Sequence, residues 1–265
     1  MRRPRRALVC GILAASCTAL SAQDAKQFVQ QAVKTELAAD AADHSRWIYF
    51  EIDRKPHQSV EQWVAQTGKG DLQRVLKENG RQLSDAEQRS RMENFARDTA
   101  AQEKQRKAGK HDDSQATEML NMLPQAFTWK KTGEQDGDTI FTFTPDPHFH
   151  PPDYESRVFA AMQGQMRVDN AQHRIVSLKG KLIRDVKFGG GILGDLKAGG
   201  TFNVERRELG KSLWQITETH VHITGRALLF KSISDQEDDQ KSKFSQLPGD
   251  ISFQDAEKRL LAQNE

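Results

Sequence analysis

The chain has 265 residues, 36% of them hydrophobic and 29% charged, with a mean hydropathy of −0.74. That is enough to bury a core without covalent staples, and it describes a wet-surfaced protein. With 39 Lys+Arg against 37 Asp+Glu the net charge is only +2, and no long basic stripe appears, so nucleic acid is not expected as a partner.

Residues 1–22 have the plan of a secretory signal peptide. Arg2, Arg3, Arg5 and Arg6 form a cationic start, residues 7–20 are an apolar run, and Ser21-Ala22 are small residues before Gln23 and Asp24. The run is about 14 residues, short of the roughly 20 that a spanning helix needs. No later stretch approaches that length, so no transmembrane helix is expected in the mature chain. Cleavage after Ala22 would leave 243 residues with 35 Lys+Arg against 37 Asp+Glu, a net charge of −2. It would also remove both cysteines, Cys10 and Cys17, and with them disulfides, thiolate ligands and a cysteine nucleophile. Ala14-Ala15-Ser16-Cys17 has the small residues that lipid attachment requires, but lacks the large aliphatic residue usual three positions before the cysteine. The expected location is the periplasm or cell envelope, with an outer-membrane tether if Cys17 is lipidated.

Residues 24–41 then read as a helix, with Phe28, Val29, Ala32, Val33 and Leu37 at helical spacing. Strands are expected at residues 47–53, where Ile48, Phe50 and Ile52 share a face, and at 60–66. Two more, at 71–77 and 80–83, flank the hairpin signal Asn79-Gly80. Ser84 with Glu87 spells a capping box that opens a long helix with a narrow stripe of Met92, Phe95, Ala96, Thr99 and Ala100. Residues 102–113 are almost all polar and read as a solvated helix end or a mobile loop. A short helix carrying Ala116, Met119, Leu120 and Leu123 ends or kinks at Pro124.

From residue 126 the pattern becomes a β meander. Phe127 and Trp129 alternate, residues 139–144 form a strand, 145–152 are a proline-rich loop, and 153–162 suit a short helix. Strands follow at 165–169 and, as one long element, at 173–188, then at 202–207, 212–224 and 226–234. Residues 234–248 read as a loose polar tail, and 255–263 as a terminal helix. The expected organisation is thus a signal peptide over 1–22, one β-rich domain over 23–234 with a helical insertion at 84–123, and a tail over 235–265.

Candidate chemistry is sparse. Gly189, Gly191 and Gly194 spell Gly-x-Gly-x-x-Gly, but Asp195 to Gly200 cannot start the helix that a dinucleotide site needs. A turn between strands is the better reading, and no cofactor is expected. His220 and His222 alternate on a strand with Glu218, so the three can face one ion, as zinc would require; His148 and His150 lie on the proline-rich loop. Glu51 and Asp53 share a strand face and read as solvated edge charges. No serine-nucleophile elbow occurs. Trp47, Trp63, Trp129 and Trp214 all fall on expected strands, where they either fill a core or line a cavity.

The layout resembles the periplasmic lipoprotein-carrier superfamily, which includes outer-membrane lipoprotein-sorting proteins. A signal peptide and amphipathic helix precede a long meander with inserted helices. The local echo is Gly164-Gln-Met-Arg-Val-Asp169 followed by His173-Arg-Ile-Val-Ser-Leu-Lys-Gly180. The resemblance covers about residues 126–234, and the polar stretch 84–113 departs from it. It implies a half-open β-barrel closed by helices around an apolar cavity for acyl chains. The expected fold is therefore α+β, a curved antiparallel sheet with helices packed on one face. The expected function is non-enzymatic binding of a lipid-like ligand or of lipoprotein acyl chains. Expected lining residues are Val176, Leu178, Leu182, Val186, Phe188, Phe202, Val204, Trp214 and Ile216, with 84–123 as a lid. Two alternatives belong to other classes: an envelope scaffold or regulator that binds a protein partner, and a metal-dependent hydrolase built on His220 and His222.

Overall fold

A computed structural model describes residues 13–189, 194–227 and 236–264. The cationic start, Cys10, the glycines at 190 and 191, and most of the strand expected at 226–234 lie outside them.

The helix expected at 24–41 is α1, Leu13–Ala42. Ala25, Val29, Ala32 and Val33 are buried along it. Strands β1 (Arg46–Lys55), β2 (Gln58–Ala65), β3 (Leu72–Glu78) and β4 (Arg81–Gln82) form successive antiparallel hairpins. The β3–β4 turn is Asn79-Gly80, both at positive φ, which Asn and Gly tolerate best. Helix α2 (Asp85–Arg97) opens with the full capping box: the Glu87 amide donates to Ser84 Oγ at 3.3 Å and the Ser84 amide to Glu87 Oε2 at 2.8 Å.

Helix α3 (Thr99–Ala126) follows after a break at Asp98, whose carboxylate caps the Ala101 amide at 2.9 Å. It carries the polar stretch 102–113 as continuous helix and takes Pro124 into its last turn. There the missing N–H costs one helical bond, to the Leu120 carbonyl, close to the end of the helix, so the ring disrupts little.

The meander comprises β5 (Phe127–Gln135), β6 (Asp138–Pro145), a 3₁₀ turn (Glu155–Ala161), β7 (Met162–Asp169) and β8 (Ile175–Leu182). Then come β9 (Val186–Phe188), β10 (Gly194–Leu196), β11 (Thr201–Gly210), β12 (Leu213–His222), β13 (Gly225–Ala227), β14 (Gln236–Leu247) and α4 (Phe253–Leu261). The single strand expected at 173–188 is two strands. The chain bends at 183–185, and β9 leaves to pair with β10 in a small sheet ordered β13-β10-β9. β9 and β10, on either side of the glycine run, pair as antiparallel neighbours; residues 190–193 of the turn the sequence suggested lie outside the described residues.

The main sheet has eleven antiparallel strands in the order β4-β3-β2-β1-β14-β12-β11-β8-β7-β6-β5. It curves without closing, and with its helices gives the α+β class. The segment expected as a loose tail is one of its interior strands: β14 joins β1 to β12. Its residues are polar, but they sit in ion pairs such as Lys241 with Asp239 (2.9 Å) and Lys55 with Glu237 (3.0 Å). A strand paired on both edges satisfies its backbone without needing apolar side chains.

Register shows where the cores lie. Phe50, Trp63, Arg54, Asp238, His220, Asn203 and Lys179 follow one another across the strands on one face. Val221, Phe202, Gly180, Gly164, Phe143 and Trp129 do so on the other. Each half of the sheet has its helical layer on one face. α2 and α4 cover Trp63, Leu72 and Leu76 beside β1–β3, whereas α1 and the end of α3 cover Trp129, Phe141 and Met166 on the opposite face, beside β5–β8. α3 begins at the first half, where Gln105 Oε1 accepts the Asp71 amide at 2.7 Å, and ends in the second, where Trp129 Nε1 donates to the Leu123 carbonyl at 3.3 Å.

Candidate functional site

The largest apolar concentration is the trough under α1. The sheet supplies Phe127, Trp129, Phe141, Phe143, Met166, Val168, Ile175 and Leu182; the small sheet adds Val186, Phe188 and Leu196. Its rings interlock, with Phe127–Phe143 centroids 4.6 Å apart and Trp129–Phe143 5.2 Å. Two glycines let the sheet bend tightly here. A Cβ on Gly164 would lie 2.7 Å from the Gly180 Cα and 2.7 Å from the Phe143 ring. One on Gly180 would lie 2.8 Å from the Phe202 ring. Helix α1 roofs the trough with small side chains, Ala25, Val29, Ala32 and Val33, so it lies close to the sheet.

The roof is latched by charge. Glu36, on the buried side of α1, accepts from Arg174 Nε at 3.0 Å and Nη2 at 2.9 Å, and from the Ile175 amide at 2.6 Å. Arg206 adds a third cationic contact. Glu36 and Arg174 are 1% and 5% exposed, so neither charge is solvated by water. Burial alone would raise the Glu36 carboxyl, but the hydrogen bonds and charges of Arg174 and Arg206 outweigh it and hold the group below its ordinary value. Beside the latch lie two shallow adjoining clefts, about 320 and 210 Å³, that share Ala42, Asp43 and Leu213. The smaller is also lined by Ala39, Arg174, Ser212 and Trp214.

The expected lining residues divide. Leu182, Val186 and Phe188 are buried in the trough, and Leu178 and Phe202 pack at its margin. Val176 is displaced by a bulge: Val168 pairs with Ile175 and Arg167 with Ser177, so Ile175 takes the core position. Val204 lies outside the packed cluster, although it shares the trough's face with Leu178. A second bulge, between Glu205 and Arg206 opposite Ile216 and Glu218, leaves Ile216 43% exposed. Trp214 lines the cleft beside the latch, its Nε1 donating to Gln172 Oε1 at 3.2 Å. The interior of the trough is filled with side chains rather than hollow. Of the expected lid, the end of α3 contributes Met119, Leu120 and Leu123, while α1 forms the main roof.

The expected metal ligands occupy the seam between the half-sheets. Glu218, His220 and His222 alternate on β12, and His220 stands opposite Asp238 of β14. Asp238 Oδ1 lies 2.6 Å from His220 Nδ1 and 3.0 Å from His222 Nε2, and Glu218 is 3.6 Å from His220 Nε2. One carboxylate oxygen thus receives both rings, which makes each facing nitrogen a donor rather than a free ligand. Among the described residues no group of three or more His, Cys, Asp or Glu is arranged to hold a metal ion. His148 and His150 stay together on their loop, where His150 Nδ1 meets the His148 carbonyl at 2.8 Å. The hydrogen bond to Asp238 raises the His220 pKa above its ordinary 6.5. A raised histidine contributes stability that is fully present below its unfolded pKa and is lost as pH rises through the folded one. Thermal midpoints measured from pH 5 to pH 9 should fall across that interval, and Asp238→Asn should flatten the fall.

Glu51 and Asp53 do share a face, but not a solvated edge, since β1 is paired on both sides. Glu51 accepts from Gln62 Nε2 at 2.5 Å and lies 3.7 Å from Lys241 Nζ; burial raises its carboxyl despite that lysine.

Sequence reasoning missed Glu36, Arg174, Arg206 and Asp238. Glu36 had a signal: it falls within the apolar stripe Ala32–Val33–Leu37, where an unpaired acid would be costly. Asp238, in a uniformly polar segment, had none. No known family profile matches the chain, and neither a curated protein nor a solved structure does.

Proposed function

We propose that this chain is a non-catalytic, exported envelope protein that binds a lipid-like ligand or a lipoprotein's acyl chains between α1 and the curved sheet. The observation that carries this reading is the roof itself. A single helix with small side chains lies over an aromatic trough and is fixed by one buried ion-pair cluster, with a cleft opening beside it. An acyl chain would enter at the cleft lined by Ala39, Ala42, Leu213 and Trp214, lift α1 and replace its contacts with its own. Each buried CH₂ would contribute about 0.8 kcal/mol. The filled trough is then the closed state, and lifting α1 is the cost of binding.

Export fits the position of the packing. Ala25, Val29, Ala32 and Val33, the buried roof residues, all lie past the expected cleavage point, so removal of 1–22 leaves them in place. No helix among the described residues is long and apolar enough to cross a membrane. Native mass spectrometry of protein from its own envelope fraction tests the reading: adducts with acyl-chain masses are expected, and bare protein would count against it.

A further inference from the structure

The polar part of α3 is neither frayed nor packed. From Glu103 to Ser114 every side chain except Gln105 is exposed, and Gln102 and Gln105 turn toward the body there. Gln102 bonds the Phe95 carbonyl at 2.8 Å and Gln105 bonds Asp71, which fixes which side faces inward. At about 100° per residue, Lys104, Arg106, Lys107 and Lys110 fall within an arc of about 160°, the three lysines on the outward side and Arg106 at the edge beside Gln102. Two acids fall in that arc: Glu103, which pairs with Lys107 at 2.8 Å, and Glu118, two turns beyond Lys110. Arg106 reaches back to the Lys69 carbonyl at 3.0 Å. Asp112 and Asp113 fall outside the arc.

We infer that this outward face of α3 docks on an anionic phospholipid surface. The side chains favour that partner over other polyanions. Three of the four cations are lysines, which act as point charges, and the stripe has no Phe, Tyr or Trp for stacking on a base. A straight helix with one cationic side and no docked neighbour presents its charges in a line, which suits a fluid array of headgroups rather than a shaped site. Nor does the stripe have an apolar face free to insert, so the attachment is electrostatic and reversible. The inference rests on charge and placement and does not require the acyl-binding reading.

Vesicle co-sedimentation tests it, using phosphatidylcholine vesicles with and without phosphatidylglycerol. The purified protein should bind only the anionic vesicles and should release at about 0.5 M salt, where screening shortens to a few ångströms. Lys104→Glu/Lys107→Glu/Lys110→Glu should weaken binding by well over a hundredfold. The neutral set Lys104→Gln/Lys107→Gln/Lys110→Gln should fall between. A control with the same charge change elsewhere, Lys130→Glu/Lys179→Glu/Lys181→Glu, should bind nearly as the parent does. All six positions are exposed, so the thermal midpoint should hardly move. Binding to both vesicle types, binding unaffected by the α3 changes, or equal loss in the control would each overturn the inference. Bound acyl chain, read separately by native mass spectrometry, should be the same in parent and variants, so failure of either reading leaves the other standing.

Discussion

Replacing Glu36 with alanine is expected to lower stability at neutral pH by about 3–5 kcal/mol, the usual result of removing one partner of a buried ion pair. For a chain of this size that is roughly a 10 °C drop in thermal midpoint. The cost comes from what remains. Arg174 and Arg206 would stay at 5% and 14% side-chain or residue exposure with no carboxylate between them, and the Ile175 amide would lose its acceptor. Asp40, 3.8 Å from Arg206, is 58% exposed at its side chain and too far out to substitute. The pH dependence follows from the depressed Glu36 carboxyl. Its contribution is present above the unfolded value, near 4.5, and is lost as pH falls through the lower folded value. The gap between parent and variant should therefore be full at neutral pH and close under acid. Thermal denaturation at several pH values checks both statements. The acyl reading adds a kinetic expectation: with the latch gone, α1 lifts more easily, so bound lipid should exchange faster even at temperatures where the variant is folded.

Gly164→Ala should be at least as damaging. Glycine is needed there for space rather than for an unusual φ. The new methyl carbon would sit 2.7 Å from the Gly180 Cα and 2.7 Å from the Phe143 ring. Backbone on one side and a fully buried ring on the other leave nothing flexible to yield, so β7 and β8 must separate or the trough must repack. A loss above about 4 kcal/mol is expected, since strain and lost packing would act together. Gly133→Ala provides the control, because a Cβ there meets nothing within 4 Å. It should change stability by less than about 0.5 kcal/mol. Equal effects of the two substitutions would show that the tight bend at Gly164 and Gly180 is not what shapes the trough.

What could be read in the sequence followed local chemistry. Asn79-Gly80 and the Ser84–Glu87 box are decided by residues a few positions apart, and both form as written. The stripe on α1 and the alternation of Phe127 with Trp129 named two walls of the trough. The unreadable parts depend on distant partners. β14 looks like a loose tail because no apolar period marks it, yet pairing on both edges makes it an interior strand of the sheet. The polar run of α3 reads equally as a solvated helix end or a loop because nothing packs on it, and the helix is decided by the packed segments at both its ends. Val176 and Ile216 fit an unbroken two-residue period, and bulges shift that period beside each of them. The same alternation placed Glu218, His220 and His222 on one face correctly, but could not show that Asp238 would come from the tail to receive both rings.

The central claim is that α1 is a displaceable roof over an acyl-binding trough. Native mass spectrometry of the parent and of Glu36→Ala, both purified from an envelope fraction without detergent, tests it most directly. The account predicts adducts with acyl-chain masses on the parent, and faster loss of those adducts from the variant when it is diluted into lipid-free buffer. Bare protein masses for both, under conditions that keep known lipid complexes intact, would contradict it.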